Sequence, residues 1–395
     1  MKMSTKSQKV SFTYGFVVFI IWYVAGMDWT PCLSKKIEME TEMESSNETF
    51  PEKLLNPNVK YILQWTKPFK EPFTFMKVGQ DIFFERHCPV NNCYVTWKKN
   101  YLRDVRHYDA ILFYAHDVTR GFIRLPKKRS VHQKYVFVST EPAAYYPVYH
   151  KNYNGFFNLT WTYKLDSDVF YGYILIRDIE GNIIGPKEVM HWPNIAEMKP
   201  IEGNLREKLN GKTKAAAWFV SNCKARSGRE KVALEMKLKL AKYNMTLDIY
   251  GTCGENKCQS KTSCCQMLKT EYYFYLAFEN SVNEDYVTEK LLTALNHYTV
   301  PIVYGGANYT RFMPDGIYLN ARTVTVEKLV KQMVDLINDK EKYYDFFRWH
   351  NHYTYSYAGT TPDTDYYCNF CKKINIPNST NQIEVSDNFT KWWNR

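Results

Sequence analysis

The stretch that most constrains the fold runs through residues 271–306. Residues 272–278 (YYFYLAF) are an uncharged run of aromatic and aliphatic side chains, which is typical of a buried strand. A polar segment follows, and Thr288 then has the chemistry of a helix N-cap. After that helix, residues 299–304 form a second apolar run that two glycines close. This order predicts a βαβ unit of a parallel sheet, whose loop lies where ligands bind in open α/β sheets.

The loop of this unit carries side chains suited to a charged, hydroxylated ligand: Asn280, Tyr286, Glu289 and Lys290. A helix N-terminus with a nearby ammonium group suits a phosphate. Glu289 would repel that phosphate, so it is better placed to accept hydrogen bonds from sugar hydroxyls. A phosphate beside a sugar indicates a nucleotide sugar. The pattern alone leaves open the simpler interpretation of a capped, solvated helix start.

The segment FENSVNEDYVTEK (278–290) resembles the signature of the α1,3-fucosyltransferases, glycosyltransferase family 10. In that family F-x-F/L-x-F-E-N-S/T and D/G-Y-V/I-T-E-K runs form the GDP-fucose site. The resemblance extends over residues 61–371. It implies an α/β fold of the GT-B type, in which two Rossmann-like domains face a cleft. It also implies that the four loop residues bind GDP-fucose, with Tyr286 against the donor and Glu289 on its hydroxyls.

Two blocks of alternating strand and helix patterns predict two domains. Apolar runs at 61–65, 110–115 and 135–140 belong to the first block, and runs at 215–222 and 247–250 with helices at 229–241 and 326–338 to the second. The predicted boundaries are residues 58–195 for an acceptor-side domain, 212–355 for a GDP-fucose-binding domain and 356–395 for a tail that returns to the first domain.

The amino-terminal residues have the pattern of a membrane anchor. Residues 1–11 are basic, and the apolar run that follows predicts a transmembrane signal-anchor at 12–27 and a stem at 28–57. Small residues at 24–26 leave a cleaved signal peptide open. The positive-inside rule places the remaining chain in the lumen. The fucosyltransferase resemblance likewise implies a single-pass type II Golgi membrane protein.

Six N-x-S/T sequons are compatible with a secretory route: Asn47, Asn158, Asn244, Asn308, Asn378 and Asn388. The net charge of +11 is compatible with an anionic ligand or a membrane surface. Because no basic stripe with interleaved aromatic residues occurs, we expect no nucleic-acid partner.

Ten cysteines in an oxidising lumen predict disulfides. The spacing of Cys368 and Cys371, with Cys88 and Cys93, leaves a zinc site open as an alternative. The resemblance implies instead that the tail pair bridges back to the pair in the first domain. Cys32 is a candidate for pairing between chains.

The resemblance also implies the catalytic groups. Glu141, at the end of the strand-like run YVFVSTEP, matches the family's general base, and Asp117 is the reserve. Arg229 and Lys290 match positions that meet the departing diphosphate, although Arg226 is close enough to confuse the register.

A further family block resembles residues 158–168, where Tyr163 and Asp168 either face the cleft or fix domain geometry. Asp166-Ser167-Asp168 has the form of a metal motif, but the family block is not a metal site. We therefore expect no required metal, with stimulation by a divalent metal left open.

The predicted function is inverting transfer of L-fucose from GDP-β-L-fucose to O3 of GlcNAc on N-glycans of glycoproteins. SNCKAR and NEDYVTEK resemble invertebrate and plant enzymes that modify the innermost, Asn-linked GlcNAc, so this core residue is the expected acceptor. Lewis-type transfer to antennary GlcNAc and an inactive lumenal sugar-binding homologue are the alternatives. A secreted disulfide-rich structural protein is disfavoured by the donor motif.

Overall fold

A computed structural model describes residues 56–66, 76–121, 123–258, 260–376 and 388–395 of the 395-residue chain. The strands are β1 (Lys60–Gln64), β2 (Cys93–Thr96), β3 (Ala110–Tyr114), β4 (Lys134–Ser139), β5 (Leu159–Thr162), β6 (Val169–Phe170), β7 (Ile174–Asp178), β8 (Ile183–Gly185), β9 (Lys214–Phe219), β10 (Leu247–Tyr250), β11 (Tyr272–Phe278), β12 (Val300–Tyr304), β13 (Leu319–Asn320) and β14 (Tyr353–Tyr357).

The α-helices are α1 (Asp81–Glu85), α2 (Ala115–Thr119), α3 (Gly203–Asn210), α4 (Arg229–Ala241), α5 (Lys261–Glu271), α6 (Glu289–Leu295), α7 (Val326–Asn338), α8 (Lys340–Asp345), α9 (Tyr366–Asn375) and α10 (Phe389–Trp393). Single 3₁₀ turns occur at Val105–His107, Lys151–Tyr153, Ile195–Glu197, Tyr309–Arg311 and Arg348–Asn351.

The first sheet is parallel, with the strand order β2-β1-β3-β4-β5-β6. Every residue of β3 is buried, as expected for a parallel strand covered on both faces. In β4 only the first residue, Lys134, is part-exposed. Because all strands run the same way, the segments after β3, β4 and β5 lie along one edge of the sheet, which is where Glu141 is found.

The second sheet is also parallel, with the order β10-β9-β11-β12-β13. Its central strand β11 is the run YYFYLAF, and all seven of its residues are buried. The helix α6 connects β11 to β12, so the predicted βαβ unit is confirmed. The predicted helices at 229–241 and 326–338 are α4 and α7 with the same bounds. The α/β class with parallel sheets is therefore confirmed.

A third sheet joins chain segments from either side of residue 195, and the domain boundary predicted there stays a prediction. Strands β7, β8 and β14 form an antiparallel sheet, so residues 174–185 pair with a strand from residues 353–357. Ile174 and Ile176 lie in the core cluster that also contains Tyr275 of the second sheet. The sequence pattern could not reveal this, because an antiparallel partner nearly 180 residues away leaves no local signal.

The tail returns to the first domain through α9 and two disulfides. Cys88 is bonded to Cys368 and Cys93 to Cys371, with Cα–Cα distances of 4.9 and 5.9 Å. These are the two pairs that the resemblance links. Phe370 stacks on Trp161 of β5 with ring centroids 4.5 Å apart, so the helix completes the first hydrophobic core. Cys223–Cys253 and Cys258–Cys264 are further disulfides.

Several predictions concern residues outside the described ranges. The transmembrane anchor at 12–27, most of the stem at 28–57, Cys32 and the sequons at Asn47 and Asn378 belong to this group. Within the ranges that the model describes, no helix is long and apolar enough to span a bilayer.

The four described sequons differ in accessibility. Asn244, Asn308 and Asn388 are exposed. Asn158 is half-buried, and its Oδ1 accepts a hydrogen bond from the Tyr135 N–H at 2.8 Å. Its side chain therefore takes part in the junction between β4 and β5. Glycosylation of all four stays a prediction.

The disulfide between Cys93 and Cys371 gives a stability prediction. It links residues 278 apart in sequence. Replacing both by serine should therefore lower the free energy of unfolding by about 2–5 kcal/mol, because the unfolded chain regains the freedom of a long loop. Removing Cys258–Cys264, whose partners are six residues apart, is the matched control and should cost less. Thermal unfolding of the two double variants measures the difference, and equal losses would contradict the chain-entropy argument.

Candidate active site

Glu141 and Tyr286 come from different sheets and meet across the space between them. Glu141 follows β4 at the carboxyl edge of the first sheet, and Tyr286 lies in the loop between β11 and α6. The Tyr286 hydroxyl donates a hydrogen bond to Glu141 Oε2 at 3.2 Å. Burial, and then the nearby Glu141 charge, raise the pKa of Tyr286 well above its ordinary value. The hydroxyl therefore stays protonated and acts as a donor to the carboxylate.

The loop that carries Tyr286, residues 279–290, is called the donor loop below. Its two ends are joined by a buried ion pair, because Lys290 Nζ lies 3.2 Å from Glu279 Oε2 and both side chains are at most 4% exposed. The Glu279 carboxylate also accepts hydrogen bonds from the Thr288 N–H at 2.8 Å and from its hydroxyl at 2.9 Å. Burial raises the pKa of Glu279, and the Lys290 ammonium opposes that rise.

This arrangement changes the role expected for the start of α6. Thr288 occupies the predicted N-cap position, but its side chain makes no capping hydrogen bond to the helix. The hydroxyl instead contacts Glu279 and accepts a hydrogen bond from Lys290 Nζ at 2.8 Å. Lys290 also lies 3.2 Å from Glu289 Oε1. Two carboxylates therefore neutralise the ammonium that the sequence assigns to the diphosphate, and its contact with a phosphate stays a prediction.

Arg229 begins α4 and is completely buried. Its guanidinium group donates to the backbone carbonyls of Phe278 at 2.7 Å and Asn222 at 3.1 Å. It thereby ties the segment after β9 to the end of β11, directly before the donor loop. Arg226 is the other arginine that could match the family position, and its side chain is exposed. Its guanidinium donates to the Ala144 carbonyl of the first domain.

Asn280 and Ser281 carry buried polar atoms that the protein does not satisfy. Asn280 Oδ1 and Ser281 Oγ have no hydrogen-bond partner in the described part of the chain. The Asn280 carbonyl accepts from the Ser227 N–H at 3.0 Å, so the backbone is fixed while the side-chain oxygen is not. Such atoms are unusual in folded proteins and are those that a polar ligand would satisfy.

Comparison with known proteins identifies the family. The family model "Fucosyltransferase, N-terminal" matches residues 57–174, and "Glycosyltransferase family 10 (fucosyltransferase) C-term" matches residues 209–392. Alpha-(1,3)-fucosyltransferase C of Drosophila melanogaster is 34% identical over 92% of this chain and 83% of its own length. The chain belongs to glycosyltransferase family 10, the fucosyltransferases. It is therefore a glycosyltransferase.

Two further relatives differ in the acceptor that their names specify. Glycoprotein 3-alpha-L-fucosyltransferase A of Drosophila melanogaster is 29% identical over 80% of this chain and 58% of its own length. A Bos taurus 3-galactosyl-N-acetylglucosaminide 4-alpha-L-fucosyltransferase is 30% identical over 73% of this chain and 71% of its own. A solved α1,3-fucosyltransferase with GDP-fucose aligns with a TM-score of 0.44 at 13% identity, covering 85% of this chain and 95% of that one.

The remaining candidate residues, Asp117, Tyr163 and Asp168, make contacts outside the Glu141–Tyr286 hydrogen bond. Asp117 lies 2.9 Å from His116 Nδ1. Tyr163 is buried with its ring edge-on to Tyr286 at 5.0 Å, so it packs behind the site. Asp168 accepts from the Thr160 N–H at 2.9 Å and pairs with Lys373 at 3.5 Å, which fixes the first domain.

The candidate metal motif is likewise engaged in structural contacts. Asp166 accepts hydrogen bonds from the Trp392 indole and the Arg395 guanidinium, each at 2.8 Å. In the described residues, the grouping with metal-ligand geometry is Cys88, Asp365 and Cys368. Its two cysteines are bonded to each other, so their sulfurs are not thiolate ligands.

The sequence pattern places Glu279 in a polar loop and assigns it no contact, whereas the structure shows it in a buried ion pair. The sequence does contain a signal for the burial of Glu279. Glu279 follows seven consecutive buried-type residues with no intervening turn residue, so burial should have continued into it. Lys290 lies on the first turn of the next helix, where it can reach back to the strand end. The family's F-E-N run contains this glutamate, but the resemblance assigned it no contact.

The Glu279–Lys290 pair gives a stability prediction. Glu279→Gln removes the more deeply buried of the two carboxylates that pair with the buried Lys290 ammonium, so the free energy of unfolding should fall by about 3–5 kcal/mol. Glu271→Gln is the matched control, because Glu271 pairs with Lys214 at 2.7 Å on the surface and should lose at most about 1 kcal/mol. Denaturant titration of both variants makes the comparison. Equally small losses of unfolding free energy in the two variants would show that the buried pair does not stabilise the donor loop.

The contact between Tyr286 and Glu141 gives a kinetic prediction. Tyr286→Phe keeps the buried ring but removes a hydrogen bond to a carboxylate, so kcat/KM should fall about 10- to 100-fold, the equivalent of about 1.5–3 kcal/mol. Tyr318→Phe removes a similar bond to Asp315 at 2.8 Å away from the site and should leave kcat/KM unchanged. Steady-state assays with GDP-fucose test both, and wild-type rates in Tyr286→Phe would remove the tyrosine from the mechanism.

Proposed function

We propose that the chain catalyses inverting transfer of L-fucose from GDP-β-L-fucose to O3 of a GlcNAc residue on N-glycans, making an α1,3 linkage. The observation that carries the mechanism is the contact between the Glu141 carboxylate and the donor-loop Tyr286. This contact supports the proposal, because the carboxylate proposed as the base lies beside the loop proposed to bind the sugar nucleotide. A surface carboxylate in a turn, without a catalytic role, would not be expected to contact that loop.

In the proposed step the acceptor O3 attacks C1 of fucose, and Glu141 takes the proton of that hydroxyl. A bond forms between O3 and C1, while the bond between C1 and the β-phosphate oxygen breaks. The bonding electrons leave with GDP, and attack opposite the leaving group converts the β-anomer to the α-product. The Tyr286 hydrogen bond holds one carboxylate oxygen, Oε2, and so orients the carboxylate group that accepts the proton.

The departing diphosphate needs positive charge, and the site holds three basic side chains near the donor loop. Lys290 and Arg229 are the family positions, and Arg226 is exposed. Lys290 would exchange part of its contact with Glu289 for the phosphate, because Glu289 keeps partial exposure while Glu279 does not. Asn280 Oδ1 and Ser281 Oγ would gain donor hydroxyl partners. We therefore propose that no metal is required, with stimulation by a divalent ion left open.

We further propose a GT-B arrangement, with the donor on the second sheet and the acceptor against the first, and a type II Golgi membrane location through residues 12–27. The core, Asn-linked GlcNAc is the proposed acceptor. Support comes from the SNCKAR and NEDYVTEK segments and from the glycoprotein-directed relative in Drosophila. The relative in cattle that acts on galactosyl-GlcNAc keeps antennary transfer as the second candidate.

The deciding experiment incubates the full chain with GDP-fucose and a panel of N-glycans and reads the products by mass spectrometry. Fucose on the innermost GlcNAc supports the proposed acceptor, and fucose only on antennary N-acetyllactosamine supports the second candidate. No transfer to any glycan, with GDP-fucose still bound, would indicate an inactive sugar-binding homologue.

Glu141→Gln tests the base in the same assay. It removes the proton acceptor but keeps an oxygen that can accept from Tyr286, so turnover should fall about 10²- to 10⁴-fold while GDP affinity stays near wild type. Calorimetry with GDP measures that affinity. Near-normal turnover would exclude Glu141 as the base, and Asp117→Asn would then be the next variant.

A further inference from the structure

Residues 389–395, called the aromatic clamp below, pack against the strand that leads to the catalytic base. Phe389 and Trp393 are fully buried. Both rings contact Phe137 of β4 edge-on, with centroids 4.8 Å away. Phe137 lies in β4, four residues before Glu141, which follows the end of that strand. The clamp is therefore anchored in the first core by large aromatic side chains.

One side of the clamp holds the loop at 142–148, which begins next to Glu141. The Trp393 indole donates to the Tyr146 carbonyl at 2.7 Å. Asn394 accepts from the Val148 N–H at 3.1 Å and donates to the Val148 carbonyl at 2.7 Å. Three hydrogen bonds thus fix the backbone of a segment that has no regular secondary structure of its own.

The other side of the clamp reaches the donor loop of the second domain. Arg395 donates to Asp166 of the first domain at 2.8 Å and lies 3.5 Å from Glu284 of the donor loop. Its backbone carbonyl accepts from Asn283 Nδ2 at 3.4 Å. Asn283 Oδ1 in turn accepts from the Ala144 N–H at 3.3 Å. One side chain of the donor loop therefore contacts both the clamp and the loop beside Glu141.

Charge complementarity supports this bridge. Glu284 lies 3.5 Å from the buried Lys164 and 3.6 Å from Arg311, in addition to Arg395. Asp285 pairs with Arg311 at 2.7 Å. The two acidic residues that precede Tyr286 are thus neutralised by basic side chains of the first domain, the second domain and the clamp. Asp285 has a φ of +57°, so the backbone needs such contacts to hold this turn.

We propose that the aromatic clamp positions the two catalytic loops against each other, setting the distance between Glu141 and Tyr286. Asn394 and Arg395 are the positioning residues, because they bond to the loop at 142–148 and to the donor loop. The inference rests on the proposed fucosyl transfer. A purely structural role would lower stability alone, whereas positioning lowers turnover in protein that remains folded and still binds GDP.

Asn394→Ala and Arg395→Ala are the test variants, made in the full chain. Lys391→Ala is the matched control, because Lys391 lies exposed on the same helix. Turnover of both test variants should fall about tenfold or more, since a shift of about 1 Å between reacting groups can cost about 100-fold. GDP affinity, measured by calorimetry, should stay within about twofold, because Lys290, Arg229 and Arg226, which are proposed to meet the diphosphate, are unchanged. Arg395→Lys should recover part of the turnover.

Thermal unfolding measured in parallel separates the outcomes. The proposal is overturned if turnover per folded molecule equals wild type in Arg395→Ala, or if it falls equally in Lys391→Ala. It is also overturned if turnover falls only in proportion to the unfolded fraction. Should Asn394→Ala fail to fold, the turnover of Arg395→Ala still tests the proposal, because the Arg395 side chain is exposed. Failure of the wild-type chain to bind GDP would instead contradict the proposed function itself.

Discussion

The buried ion pair between Glu279 and Lys290 is the interaction on which the candidate site depends. The pair lies where β11 ends and α6 begins, so it joins the two ends of the donor loop. Taking two charges out of water is unfavourable, and the cost is offset only when the geometry is good and the remaining lone pairs are satisfied. Thr288 supplies that satisfaction through its N–H and hydroxyl groups. The loop is therefore closed on itself before any ligand arrives, which keeps Tyr286 directed toward the other domain.

Ion pairs also connect the donor loop to the first domain. Glu284 and Asp285 face Lys164, Arg311 and Arg395, so the outer side of the loop is neutralised. In the same loop, Asn280 Oδ1 and Ser281 Oγ have no protein partners in the described ranges. Neutralised acidic groups together with unsatisfied polar atoms are expected of a preorganised binding loop, because the ligand then gains hydrogen bonds without ordering the backbone.

The sequence predicted the elements that depend on local pattern and missed the contacts that depend on distant partners. Strand β11 and helices α4 and α7 follow from continuous apolar runs and helical periodicity, and the structure has them. The pairing of β7 with β14, the burial of Arg229 and the ion pair of Glu279 are set by chain segments far apart. A charged residue after an apolar run indicates the end of a strand, so the pattern predicts a polar loop from Glu279 and not a buried ion pair. The family resemblance supplied Glu141 and Tyr286 separately, and only the folded chain shows that they touch.

Hydrogen–deuterium exchange of the full chain with and without GDP-fucose tests the central claim most directly. The claim is that the donor binds where the donor loop meets the loop after Glu141. Exchange should slow on adding GDP-fucose in peptides that cover residues 279–290 and 142–148, with the amides after β9 also protected. Unchanged exchange in both loops, or protection confined to the face around β8 and α9, would contradict the account.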